Sequence, residues 1–398
     1  MKILVINSGS SSQKYQLIDM ANEEVVAKGL CERIAIDGHI KAETNAGAKV
    51  DFNIVLPNHT AAFNEVKKLL TTGETKVIAS LNEISAIGHR IVQGGKYFSE
   101  SHLVTKDVED KIEELIDLAP LHNGPHLDGI RAAKKAFGPD TPHVVVFDNA
   151  FHTTMPPKAY MYPIPYRYYE EYGVRRYGFH GISHNYVSNR LHEIHPEYNK
   201  VIICHLGNGS SITAIKDGKV IDTSMGLTPL DGFIMGSRCG AIDPSVVTYL
   251  QEKDDLTAKQ TTNMLNKQSG FLGISGVSSD MRDVEIAAEE GNERAQLALD
   301  IFYYQVPKLI ASYIVALQGL DALVFTAGIG ENGCNVREGI CKELEFMGIK
   351  MDYEKNNGIR GKEVRLDAED SKAAIFMIPT NEELMIARET KAIIEAGK

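Results

Sequence analysis

The chain predicts an α/β fold made of two duplicated domains, and three observations carry that expectation. Strand-like and helix-like segments alternate along all 398 residues, the pattern of sheets flanked by helices. That length exceeds what a single core usually holds. The third observation is an internal echo: ILVINSGSSSQKYQLIDM (3–20) lies over VIICHLGNGSSITAIKDG (201–218) without a gap. Both stretches run from an apolar segment through a matched glycine (Gly9, Gly207) and small residues into a second strand pattern. The spacing is far too long for a solenoid. It fits two domains of one ancestry, each opening with a β-hairpin whose turn is rich in glycine and serine.

Taken in order, the apolar runs HVVVFD (143–148), KVIICHL (200–206), ALVFTAG (322–328) and AAIFMIP (373–379) read as buried strands. Each ends in polar or glycine-rich residues, where open α/β sheets place their ligands. Helical periodicity marks 107–118, 126–137, 184–194 and 257–267. The stretch 291–319 is also helical, with Pro307 expected to kink or divide it. TTMPPKAYMYPIPY (153–166), with its four prolines, is the expected crossover between domains.

Composition narrows the function classes. Apolar content of 43% with 24% charged residues is ordinary for a soluble globular protein. The net charge of −11 argues against a nucleic-acid or anionic-membrane surface. Anionic substrates stay open, because a few arginines in a cleft dominate the local field. Cys31, Cys204, Cys239, Cys334 and Cys341 are scattered, odd in number and without metal-type spacing, which suits a reducing compartment. The opening MKILVI is too short for a signal core, and no apolar run approaches the ~18 residues of a membrane helix. A cytoplasmic protein is expected.

The opening loop is not a Walker A motif: it has one glycine, no G-K-[ST] ending, and a strand pattern after it. A tight turn between strands still exposes N–H groups and hydroxyls that suit phosphate oxygens. Read alone, the hairpin is equally a structural turn. Its repetition at HLGNGSS (205–211), with a third glycine-rich loop TAGIGENG (326–333), points to one nucleotide gripped between two domains. GIGENG has the G-x-G-x-x-G form but lies late in the chain, so close backbone approach to adenosine or its phosphates fits better than a dinucleotide.

Several charged groups suit chemistry. GHRIVQGG (88–95) and GSRCGAIDP (236–244) hold Arg90 and Arg238 among glycines, a setting suited to planar recognition of carboxylate or phosphate and equally, for each taken singly, to a structural arginine that satisfies loop carbonyls. Asp148 ends a buried strand in FDNAFH (147–152), a good metal or base position, with helix capping as the alternative. YGFHGISH (177–184) sets His180 between glycines, with His184 assigned to the following helix. In PTNEELMIARET (379–390), Thr380 and Glu383 form an expected capping box, which leaves Glu382 free to face the cleft. HEIHPE (192–197) lacks the zincin spacing, and the glycine and proline of HNGPH (122–126) are expected to prevent a helical histidine pair.

VINSGSSSQKY, GHRIVQGG, PLHNGPHL, VVVFDNAFHTTMP, RRYGFHGISH, HLGNGSS, TSMGLTPLDG, GSRCGAIDP, FTAGIGENG and IPTNEEL together resemble the acetate kinase family, in order from residue 1 to the final helix. The resemblance implies two ribonuclease H-like, actin-like ATPase domains around a nucleotide cleft. The first would be 1–150 plus the C-terminal helix 384–398. The second would be 151–383, holding the nucleotide site and a homodimer interface. The implied reaction is reversible, direct in-line phosphoryl transfer from ATP to acetate, giving acetyl phosphate and ADP. Mg2+ is the implied ion, with Mn2+ as a substitute.

By motif, the resemblance sets Asn7 and Glu382 near the metal, and Ser12 and Lys14 near the phosphates. Arg90 and Arg238 would hold the acyl carboxylate and the phosphoryl in flight, His180 would touch the transferring group, and Asp148 is the implied acid/base residue. Acetate is already ionised at pH 7, so Asp148 is expected mainly to orient magnesium and Arg90. Nucleotide contacts fall on His205, Leu206, Gly207, Asn208 and Gly209, on Asp280, Met281 and Arg282, and on Gly328, Ile329, Gly330, Glu331 and Asn332. The methyl pocket would be Val92, Leu121, Phe179 and Pro229. A propionate or butyrate kinase is the nearest rival. An actin- or chaperone-like ATPase is the rival from another class, and it has no need of Arg90, His180 and Arg238 facing an acyl pocket.

Overall fold

A computed structural model describes residues 1–120 and 122–397. The chain forms two compact units, Met1–Phe151 with Asn381–Lys398, and His152–Thr380.

In the first unit, β1 (Lys2–Ser8), β2 (Ser12–Asp19), β3 (Glu24–Glu32), β4 (His39–Thr44), β5 (Lys49–Asn53), β6 (Ile84–Ile91), β7 (His102–Leu103) and β8 (His143–Phe147) form one sheet in the order β5-β4-β3-β2-β1-β6-β8-β7. Strands β1 to β5 pair antiparallel, while β1, β6 and β8 run parallel. Alternation along the strands assigns each residue a face. Leu4, Ile6, Leu17, Ile87, Val145 and Phe147 join the cores beneath the helices His59–Thr71 and Asn123–Phe137. Val5, Asn7, Gly88, Arg90 and Asp148 take the opposite side, where the last helix, Glu382–Glu395, packs. Gly88 makes room for that helix, since a Cβ there would sit 2.8 Å from Cγ2 of Ile386.

The second unit repeats the scheme. Strands β9 (Lys200–Leu206), β10 (Ser210–Lys216), β11 (Lys219–Thr223), β12 (Ala322–Thr326), β13 (Val364–Arg365) and β14 (Ala374–Met377) run in the order β11-β10-β9-β12-β14-β13. The segment β11-β10-β9-β12-β14 matches β3-β2-β1-β6-β8 in direction strand by strand, and each array closes on a short antiparallel strand, β13 or β7. The hairpins differ by one step of register. Ser8 faces Gln13 in the first, whereas Leu206 faces Ser210 in the second, which tightens the second turn. The core lies under the helix Glu293–Leu317, with Phe302, Val306 and Ile310 against Ile202, Cys204 and Phe325. His205, Ser211 and Thr213 occupy the other side of this sheet, the side of the helix Gly181–Ile194.

Three local expectations change and a fourth holds. The helix Glu293–Leu317 runs undivided through Pro307; its buried apolar stripe offsets the lost hydrogen bond. The run after β12 is no loop: a helix, Ala327–Asn332, begins at once, and Oε1 of Glu331 accepts from the Ala327 N–H at 2.8 Å. The final helix is capped by Asn381, whose Oδ1 accepts from Leu384 N at 3.0 Å, rather than by a Thr380–Glu383 box. Thr380 is spent elsewhere, on the Ser183 hydroxyl at 2.8 Å and on Oε1 of Glu331. The fourth expectation holds: a helix does form over Gly124 and Pro125, but His122 stays outside it as the N-cap residue, so no helical histidine pair forms. Gly124 and Pro125 occupy the first turn of Asn123–Phe137, where proline's missing N–H has no partner to lose.

Candidate active site

In the first unit the site is built on the ends of parallel strands. Arg90 is the penultimate residue of β6, and Asp148 follows β8 directly. They form an ion pair at 3.1 Å, with Asp148 1% exposed. Burial works against the Arg90 cation, but the charges of Asp148 and Glu382 outweigh it and raise its pKa. Asn7 and Lys14 are cross-strand neighbours in the β1–β2 register, so both reach the same side. They line a cavity of about 410 Å³ with Val5, Arg90, Glu382 and Ile386. Burial pushes the Glu382 carboxyl up to about 7 against the pull of Arg90. Ser12 stands in the turn, where Gly9 N–H donates to its carbonyl at 2.8 Å.

A buried amide network fixes the segment after Arg90. The Asn123 side chain donates to Gln93 O at 2.9 Å and accepts from Gln93 N at 3.1 Å. Asn149 Oδ1 accepts from Gly94 N at 2.9 Å, and its amide donates to Oε1 of Gln93 at 2.7 Å. Val92, 3% exposed, donates its N–H to Nδ1 of His126. Burial first, and then the Arg90 charge, push His126 down to about 3, so its ring is neutral and accepts. Sequence reasoning passed over Asn123, His126 and Asn149; the signal was the histidine and asparagine around a glycine-proline helix start. Leu121 lies outside the described residues.

In the second unit, a histidine–hydroxyl cluster lies beside the β9–β10 turn. His180, in the left-handed conformation (φ 57°), precedes the helix Gly181–Ile194. Its Nδ1 lies 2.9 Å from Oγ of Ser211, and Nε2 of His184 lies 2.8 Å from the same oxygen. The His180 and His205 rings stack at 4.0 Å, and Nδ1 of His205 meets the Ser183 hydroxyl at 2.7 Å. Phe179, 2% exposed, is adjacent.

Arg238 and His180 converge on the same turn. From the position a Gly209 side chain would take, NH1 of Arg238 is 3.1 Å away and Nε2 of His180 is 3.5 Å. Arg238 donates to Pro229 O at 3.1 Å. Among the described residues no carboxylate pairs with it, and burial draws its pKa down. Such an uncompensated guanidinium beside an imidazole is a receptor for an anion. The loop carrying it is glycine-dependent: Gly236 packs where any side chain would overlap the Asn208 amide.

Gly207, Asn208, Asp280, Met281, Arg282, Gly328, Ile329 and Asn332 line a cavity of about 720 Å³ in this unit. Asp280 caps the helix Met281–Glu289 and pairs with Arg282 at 2.6 Å. Sequence reasoning missed Ser279, Glu285 and Arg360 on the same wall. His205, Leu206, Gly209, Gly330 and Glu331, also expected there, do not line it. Leu206 is in the core, Gly330 O accepts from Arg337 at 2.8 Å, and the Glu331 carboxylate braces the backbone of Ala327 and Thr380.

Asn7, Glu382 and Asp148 are hard oxygen donors, and no group of three or more His, Cys, Asp or Glu side chains is placed to hold a metal among the described residues. One or two carboxylates fit an ion such as magnesium, which keeps waters and takes phosphate oxygens as further ligands. No helix among those residues is long and apolar enough to cross a membrane.

The sequence model of the Acetokinase family matches residues 2–388. An acetate kinase of Dictyoglomus turgidum is 56% identical, covering 99% of this chain and 98% of its own length. One from Methanosarcina barkeri is 54% identical over 99% and 97%. The crystal structure of Porphyromonas gingivalis acetate kinase superposes with a TM-score of 0.94 at 45% identity, covering 99% of both chains. That of a propionate kinase from Francisella tularensis gives 0.92 at 44%, covering 98% of this chain and 99% of its own. With this match in sequence and fold over the whole length, the chain belongs to the acetokinase family.

Proposed function

We propose that the chain transfers the γ-phosphoryl group of ATP to acetate, reversibly, giving acetyl phosphate and ADP. The observation that carries this reading is the contrast between its two arginines. Arg90 is held by buried Asp148, while Arg238 has no carboxylate partner among the described residues and stands with His180. Both reactants are anions, so the protein's task is to position them and neutralise charge rather than to form a covalent intermediate.

Arg90 binds the acetate carboxylate; the family resemblance gives Val92, Phe179 and Pro229 to the methyl group. Acetate is ionised at neutral pH, so its oxygen attacks phosphorus without a base, and the bond to ADP breaks in line. Asp148 keeps the Arg90 fork aimed. Arg238 and His180 donate to the phosphoryl oxygens as charge spreads over them. Ser12 and Lys14 serve the phosphates. The adenosine side falls to the cavity of the second unit, with Gly207 and Asn208 of the β9–β10 turn and Gly328, Ile329 and Asn332 of the helix Ala327–Asn332 on its wall. Asn7 and Glu382 would hold Mg2+, with Mn2+ as a substitute, and the ion would screen the phosphate charge.

A homodimer through the second unit fits its exposed Tyr249, Tyr304 and Val315, and free cysteines fit the cytoplasm. A propionate kinase is the second reading, favoured by the near-equal likeness to the Francisella structure. Phosphorus NMR of the protein with ATP, Mg2+ and acetate tests the proposal. An acyl phosphate resonance growing with ADP supports it, and inorganic phosphate alone points to a bare ATPase.

A further inference from the structure

Ser211 carries one hydroxyl proton and touches two imidazoles. Its Oγ is 2.9 Å from Nδ1 of His180 and 2.8 Å from Nε2 of His184, so it donates to one ring and accepts from the other. Both Ser211 and His184 are 0% exposed. Burial pushes the pKa of His184 well below its ordinary 6.5, with the neighbouring His152 and His205 adding to the fall. The His184 ring is therefore neutral and has a single N–H. Its Nδ1 is buried without a partner among the described residues. A proton there would be a donor with no acceptor, whereas on Nε2 it has the Ser211 oxygen.

A neighbouring chain follows the same logic to an unambiguous end. Thr223 donates to the Ile212 carbonyl at 3.2 Å and accepts from Thr213 at 2.8 Å. Thr213 in turn accepts from Nε2 of His152 at 3.1 Å. The side chains on this face of the β9–β10 hairpin thus form directed chains.

We propose that His184 and Ser211 are positioning residues that hold His180 in the Nε2–H tautomer. His184 Nε2–H donates to Ser211, the Ser211 hydroxyl donates to His180 Nδ1, and the His180 proton is left on Nε2. That nitrogen is the one that converges with NH1 of Arg238 at Gly209. His180 therefore presents a fixed N–H beside a guanidinium, two donors aimed at one anion. The catalytic value of this arrangement rests on the proposed contact of His180 with the phosphoryl group.

The test is long-range proton–nitrogen correlation on full-length protein labelled with 15N-histidine, with His180 assigned by its loss in His180→Gln. At pH 7.5 the wild-type ring is expected to carry its proton on Nε2, with Nδ1 bare. Ser211→Ala is expected to admit the Nδ1–H form and to lower kcat roughly tenfold with little change in acetate KM, since a transition-state donor is mis-set. Ser211→Thr, which keeps the hydroxyl, restores both. A wild-type proton on Nδ1, or on both nitrogens, overturns the relay, as does an unchanged tautomer in Ser211→Ala. The wild-type spectrum decides even if the alanine variant does not fold. If His180→Ala keeps full kcat while the tautomer is as expected, the relay stands and the phosphoryl contact fails.

Discussion

Arg90 and Asp148, at the ends of neighbouring parallel strands, lie 3.1 Å apart with the carboxylate almost fully enclosed. The pair makes a position as much as an interaction: the Arg90 side chain keeps 18% of its surface open while its charge is anchored from behind. Asp148→Ala leaves a largely buried cation without its partner and should cost about 3 kcal/mol in denaturant unfolding. Asp148→Asn keeps an acceptor. It should raise acetate KM and lower kcat without moving the acidic limb of the pH–rate profile. A shifted acidic limb would return Asp148 to a proton-transfer role.

Arg238 is expected to act in the transition state. Arg238→Ala should lower kcat on the order of 10³-fold, by analogy with arginine fingers, with a much smaller rise in acetate KM. Steady-state kinetics check this, and an unchanged kcat removes Arg238 from the reaction.

Glu382 gives a pH signature. Burial raises its carboxyl to about 7, whereas an unfolded glutamate titrates near 4.3. Below both values the side chain is protonated folded or unfolded, and nothing is lost. Between them only the unfolded chain ionises, so a penalty on folding grows with pH and is complete above about 7. In metal-free protein, Glu382→Gln should therefore melt higher than wild type at pH 8, by roughly a few degrees, and the gap should close toward pH 4.5. A gap that widens on acidification contradicts the assignment.

The amide network predicts a remote effect on substrate binding. Asn123→Ala orphans the backbone N–H and C=O of buried Gln93, at about 1–3 kcal/mol. Because the same segment carries Val92, acetate KM should rise more than kcat falls. Equal losses in both would mean the network serves stability alone.

Much of this was legible in the sequence because it is local. The echo of 3–20 in 201–218 corresponds to strands that begin and end at matching positions, Lys2–Ser8 with Lys200–Leu206. Apolar runs marked β8, β12 and β14 because strands buried on both faces have no polar alternation to blur them. What failed was decided by distant partners. Thr380 looked like a cap until Ser183 and Glu331 claimed it, and Asn381 took the role one residue later. GIGENG read as a loop because its glycines mask a short helix whose Glu331 carboxylate also accepts from the distant Thr380 N–H. The Ser211 link joins a strand to His180 and His184, 31 and 27 residues earlier in the chain. No spacing rule reveals it.

The central claim is that this chain phosphorylates a short carboxylate, with acetate preferred. Trapping acyl phosphate with hydroxylamine, with ATP, Mg2+ and acetate, propionate or butyrate in turn, tests it most directly. Each added methylene should cost about 1–3 kcal/mol in kcat/KM, so acetate should lead propionate and butyrate should be weakest. A higher kcat/KM for propionate or butyrate, or phosphate release with no trapped product, would contradict the account.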